Sequence, residues 1–173
     1  AEIEEELAFV EGMARDHGAI SLRVAEDFAS AENIWKGRKS AFGAIGQISP
    51  DYLCMDGTIP VTKLPDVLEQ IYAIGARYGF EIANIFHAGD GNMHPLLVFD
   101  GNDEAEVARV RAAFAEIVKL ALSLGGTIAA EHGVGTLKRE FVSDELDPTQ
   151  LAVMGTIRNS LDPLNRLNPG KKL

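Results

Sequence analysis

Ile3, Leu7, Val10 and Ala14 recur at helical spacing, so the chain opens inside an amphipathic helix with no strand ahead of it. The β-branched run AISLRVA (19–25) reads as a short strand, and residues 26–46 read as a helix that fails at its glycines. Residues 50–61, PDYLCMDGTIPV, mix apolar positions with turn signals and read as extended chain. Thr62 and Pro65 open a helix that runs to about Tyr78 and closes on Gly79. FEIANIFHAG predicts a strand entering a glycine-rich turn, and HPLLVFD a strand leaving it. Val107, Val110, Phe114, Ile117, Val118 and Leu122 keep helical periodicity between residues 103 and 124. GGTIAAEHGVG predicts a short strand breaking into a glycine loop; Asp147-Pro148 then caps a last helix, and NRLNPGKKL closes the chain irregularly.

This succession predicts an α+β fold. Helices pack on one face of a mainly antiparallel sheet, close to a ferredoxin-like βαββαβ order, with a C-terminal helix and tail added. The first strand of that order finds no counterpart and is expected to be missing, which would leave a sheet edge exposed to association. The 173 residues predict a single domain.

Charge narrows the function classes. A net charge of -10 argues against nucleic acid, whose phosphates repel such a surface. The single cysteine, Cys54, excludes an internal disulfide and fits a reducing compartment. No apolar run approaches the ~18 residues of a membrane span, and the acidic start has no basic region of a signal peptide. A cytoplasmic protein is expected.

The chemistry concentrates around residues 87–95, HAGDGNMHP. A phosphate loop fits poorly: the third glycine of a dinucleotide fingerprint is absent, a strand follows instead of a helix N-terminus, and Asp90 opposes an anion. A metal site fits better. His87 and His94 bracket a tight turn, and Glu131 and His132 stand at the end of another strand, where they can meet them. Two neutral imidazoles and a carboxylate suit Zn²⁺, Mn²⁺ or Fe²⁺, with Asp90 and Asn92 as partners that orient the rings. On residues alone, hairpin histidines bonded to backbone carbonyls remain an equal alternative. Arg38, near Trp35, has the fork to hold a carboxylate, or is a solvated cation beside Lys36 and Lys39. Cys54 reads as a packed thiol, His17 as a surface residue, and Asn168 and Lys171 as tail residues able to reach a neighbouring module.

Four collinear segments, WKGRKSAFGAIGQISPDYLCMDGTIP, NIFHAGDGNMHPLLVFD, EHGVGTLKREF and LNPGKKL, resemble the C-terminal domain of FAD-linked oxidases. The type is that of D-lactate dehydrogenase, D-2-hydroxyglutarate dehydrogenase and glycolate oxidase. The resemblance implies that His87, His94 and Glu131 bind a divalent metal, with zinc the leading candidate. It implies that His132 is the base taking the substrate hydroxyl proton and that Arg38 holds the substrate carboxylate. FAD would be bound mainly by an N-terminal domain outside these residues, with Asn168 approaching it, so this stretch alone is expected to be inactive. Cys54 stands where relatives acting on a dicarboxylate carry a lysine, which points to a small monocarboxylate such as glycolate or D-lactate. The implied partners are other subunits of a glycolate oxidase-type complex, through which membrane association would come. The competing expectations are a cap that shapes a flavin pocket without metal, and a stand-alone metal hydrolase.

Overall fold

The computed structural model describes residues 2–172; positions 1 and 173, the outer ends of the expected first helix and tail, lie outside the described residues. The chain divides into two compact units, one ending at Ser40 and the other beginning at Ala41.

The first unit contains helix α1 (Glu2–Asp16) and most of helix α2 (Phe28–Ile45). Glutamates 2, 4 and 5 in the first turn of α1, and Arg15 in its last, suit the helix dipole. Its apolar stripe is exposed at Ile3, Leu7 and Val10, so periodicity alone has set the helix. At the start of α2 the Asp27 carboxylate accepts from the Ser30 amide at 2.7 Å, while the Ser30 hydroxyl accepts from the Asp27 amide at 3.1 Å. The strand expected at 19–25 does not form. Ile20, Leu22 and Val24 are exposed, and no other strand pairs with this run among the described residues. Alternating apolar residues make a strand only where a ladder accepts their backbone groups.

The second unit carries the α+β fold, an open antiparallel sheet of four strands. Strand β4 (Asn92–Phe99) is central. β3 (Ile82–His87) pairs along one of its edges; β1 (Asp51–Cys54) and the two-residue β2 (Gly57–Thr58) share the other. The stretch expected as extended chain thus supplies the strand pair that precedes helix α3 (Leu64–Tyr78). A short 3₁₀ turn at Val61–Lys63 leads into α3, and Gly79 ends it in the left-handed region at φ 77°, as expected of its C-terminal glycine. Helix α4 (Glu104–Ser123) is capped by Asp103, whose side chain accepts from the amides of Ala105 and Glu106.

Both helices cover one face of the sheet. Val67, Ile71 and Ile74 of α3 and Val110, Phe114, Ile117 and Val118 of α4 bury with Met93 and Leu97 of β4 and Ile82 of β3. Directly paired antiparallel residues share a face. The opposite face therefore carries His87 and Asn92, Ile85 and His94, and Cys54 and Leu96. That parity sets the histidines on the side away from the helical core.

Residues 126–133 do not form the expected strand. Thr127 still bonds β2, its amide donating to the Thr58 carbonyl at 2.9 Å, but the next amides turn to a side chain instead of a ladder. Beyond the loop lie a 3₁₀ turn (Arg139–Phe141) and a one-turn helix α5 (Val142–Glu145), neither signalled by periodicity. Helix α6 (Pro148–Leu161) starts on the expected Asp147 cap, completed by Gln150. The irregular tail is tied down: Asp162 accepts from the amides of Arg166 (2.9 Å) and Leu167 (2.7 Å).

One glycine of the turn is irreplaceable on geometry. Gly91 adopts φ 67°, and a Cβ there would collide with the Ile59 carbonyl. Gly91→Ala is expected to cost at least the ~1–3 kcal/mol of a strained left-handed residue. A urea titration reads this as a lowered midpoint; an unchanged midpoint would mean that the turn relaxes freely.

Candidate metal centre

The turn after β3 is a single 3₁₀ turn (Ala88–Asp90) closed by Gly91, after which β4 returns alongside β3. The reversal places His87 and His94 with their ring centroids 5.6 Å apart and planes at 88°. His94 is buried, and Phe42 near the end of α2 packs against its ring at 6.4 Å. From the loop after α4, His132 stacks flat on His94, with centroids 4.8 Å apart and planes within 4°.

Three imidazole nitrogens surround one carboxylate oxygen. Oε1 of Glu131 lies 2.9 Å from Nε2 of His94, 3.5 Å from Nε2 of His87 and 3.6 Å from Nε2 of His132. An ion holding nitrogen and oxygen ligands at about 2.1 Å keeps neighbouring donors roughly 3.0–3.4 Å apart. One donor group comprises Asp56, His94, Glu131 and His132 but not His87, with ligand atoms all within 4.8 Å of one another. His87 joins from the rim through Glu131. Cys54, His94 and His132 form an overlapping group on the same face.

Burial tunes these groups. Burial is the main cause holding the His94 imidazole below its ordinary range, followed by the neighbouring His132; Asp56 and Glu131 act the other way. A neutral ring has a free lone pair for a ligand without first losing a proton. Burial, and then the Asp56 charge, push the Cys54 thiol up to about 11, so it stays protonated at neutral pH and is a poor nucleophile.

The sequence reading missed the centre of this arrangement. Asp56, fully buried in the gap between β1 and β2, accepts the amides of Ala130 (2.8 Å), Glu131 (3.2 Å) and His132 (3.1 Å). Lys138, also buried, pairs with the Asp56 carboxylate at 3.4 Å and donates to its carbonyl. Burial alone would raise the Asp56 carboxyl; the Ala130 amide, the Lys138 ammonium and the His132 amide outweigh it and hold the carboxyl below its usual range. The available signal was an Asp-Gly inside an otherwise apolar stretch, read only as a turn. Asp90, the expected orienting acid, is exposed, whereas Asn92 is buried on the site face with its Oδ1 unpartnered.

Beside His132 opens a cleft of about 500 Å³, lined by Cys54, Asp56, the 133–138 loop, Asn168 and Lys171. The structure thus brings His87, His94, Glu131 and His132 together and sets Asn168 on the same cleft. Arg38 lies on α2 in the first unit, exposed.

The domain is an α+β layer with a histidine–carboxylate cluster on the sheet face away from its two covering helices. The chain belongs to the family of FAD linked oxidases, C-terminal domain, whose model matches residues 1–172. It is 41% identical over 173 residues to the glycolate oxidase subunit GlcD of Escherichia coli, covering 100% of this chain and 35% of that protein. It is 34% identical over 169 residues to the GlcD of Bacillus subtilis, covering 98% of this chain and 36% of that protein. A probable mitochondrial D-lactate dehydrogenase of Danio rerio is 35% identical over 175 residues, covering 99% and 35%. The chain spans about a third of the length of these relatives.

Proposed function

We propose that this chain is the C-terminal, substrate- and metal-binding domain of a flavin-dependent 2-hydroxy-acid oxidoreductase. The observation that carries the proposal is the meeting of three imidazole Nε2 atoms at Glu131 Oε1. Such a set is far richer in ligands than a hairpin held by backbone bonds needs, and it lies in a family defined by FAD-linked oxidation.

In this reading His87, His94 and Glu131 hold a divalent metal, with zinc favoured by the two imidazoles and one carboxylate. An ion held there would supply Lewis-acid polarisation of the substrate's oxygens, and a flavin bound outside these residues would supply the hydride acceptor. His132, half-exposed at the cleft and flat against His94, takes the hydroxyl proton at Nε2 as general base. Arg38 pairs with the substrate carboxylate through its guanidinium fork. Asn168, on the wall of the same cleft as His132, is assigned in this reading to the approach of the flavin. The reading assigns the protein to the cytoplasm, with membrane association only through a complex of the glycolate oxidase type; among the described residues no helix is long and apolar enough to cross a membrane.

Cys54 sets the substrate class. Its neutral, half-buried thiol offers no second cation, so a small monocarboxylate is favoured over a dicarboxylate. The test is a panel of 2-hydroxy acids given anaerobically to the full-length flavoprotein, following flavin bleaching. Glycolate and D-lactate are expected to bleach the flavin, and D-2-hydroxyglutarate to do so at least tenfold more slowly, the scale of one lost charge-assisted hydrogen bond. A preference for the dicarboxylate would contradict the Cys54 argument; bleaching by none of them would contradict the proposed activity.

A further inference from the structure

Residues 130–132 carry both a proposed ligand and the proposed base, yet belong to no helix or strand. A loop of this kind needs something to fix it, because the placement of Glu131 and His132 is set by the backbone that bears them. The only side chain among the described residues that takes its three consecutive amides is Asp56. Oδ2 receives Ala130 and His132, and Oδ1 receives Glu131. Oδ1 also lies 3.7 Å from Nδ1 of His94, a buried nitrogen that has no hydrogen-bond partner. One carboxylate thus addresses three of the four residues of the cluster: two through their backbones and the third through the ring nitrogen remote from Glu131.

From this geometry we infer that Asp56 is the positioning residue of the metal centre, with Lys138 as the counter-charge that lets it stay ionised in the interior. The inference rests on the metal reading given above. A buried ionised carboxylate is tolerated only when it is paired and hydrogen-bonded, and Asp56 has the Lys138 ammonium and three amides. Its role follows from what a histidine ligand requires. When Nε2 binds a metal, Nδ1 carries the proton, and an anionic acceptor behind it fixes the ring and raises its basicity. Asp56 is the acid behind Nδ1 of His94, and a small closure of the 3.7 Å gap makes that hydrogen bond. The same carboxylate sets the loop from which Glu131 reaches the other side of the ring. The strand expected within GGTIAAEHGVG is lost at the same contact: the amides of residues 130–132 bond the Asp56 carboxylate in place of a ladder.

The experiment uses the purified protein, titrated with Co²⁺ as a spectroscopic probe, together with hydrogen exchange of the amides at 130–132. Asp56→Asn is expected to weaken cobalt binding about 10–100-fold, the loss typical of removing an outer partner of a ligand histidine, and to change the visible cobalt spectrum. The 130–132 amides should exchange about tenfold to a hundredfold faster, as losing a bond to a charged acceptor implies. Asp56→Asn leaves Lys138 buried without its counter-charge, so D56N/K138M, which removes both charges, guards against a variant that fails to fold; it should show the same two losses. A merely structural Asp56 would lower stability but leave the cobalt affinity and spectrum of the folded variant as in the wild type, and that result overturns the inference. Wild-type exchange at 130–132 as fast as in a free loop overturns it as well. Failure of the metal reading looks different: the wild type binds no cobalt at all, and the exchange data then decide the loop clamp separately.

Discussion

Replacing His132 with alanine is expected to slow substrate-driven flavin reduction in the full-length enzyme by about 10²–10⁴-fold, the usual contribution of a positioned general base. Flavin content should be unchanged, because the flavin is assigned to another domain. Two features of the site make the effect large. The His132 ring is half-exposed at the cleft, where a substrate proton can be reached, and its stacking on buried His94 fixes its plane. The same variant separates two roles for this histidine. His132 belongs to the tight donor group with Asp56, His94 and Glu131, so geometry alone would also admit it as a ligand. A base leaves metal affinity within a few-fold of wild type when deleted; a ligand takes the metal with it. Rapid flavin reduction by His132→Ala would remove the base assignment altogether.

Glu131→Gln is expected to lose metal binding and flavin reduction together. Glutamine keeps the shape of the side chain and removes its charge, so a change reports electrostatics and donor strength more than packing. Glu131 Oε1 lies near all three Nε2 groups, and without it Asp56 is the carboxylate that remains in the donor group. Outer partners of ligand histidines are worth about 10–100-fold in affinity, and a direct anionic ligand should exceed that. Calorimetric or chelator-competition titration measures the loss. Wild-type affinity in Glu131→Gln would move the ion away from this carboxylate and toward the group of Cys54, His94 and His132.

Much of this was legible in the sequence, for identifiable reasons. Helices α1 and α4 follow apolar spacing, α3 closes on Gly79, and α6 starts on the Asp147 cap. These signals act over a few residues, so a sequence carries them in full. The strand at 19–25 failed because its alternating apolar residues have no ladder to join, a property of the rest of the chain. The strand at 126–133 failed for a related reason: its amides found Asp56, seventy-four to seventy-six residues away, before they found a neighbouring strand. The His87–His94 pairing was legible because one tight turn makes it. Glu131 and His132 were legible as chemistry at the end of a glycine-broken segment, and their separate roles as ligand and base came from the family resemblance. Asp56 and Lys138 were invisible, since an Asp-Gly and a lysine in a charged loop resemble any surface turn until burial is known.

Metal binding by His87, His94 and Glu131 beside a proton-accepting histidine is the proposal on which the function rests. It is tested most directly by the metal content of freshly purified protein at neutral pH, wild type against His87→Ala and His94→Ala. The expected result is one tightly held divalent ion per chain in the wild type and far less than one in either variant, with far-ultraviolet circular dichroism unchanged. A metal-free wild type, or full occupancy retained in both variants, would contradict the account.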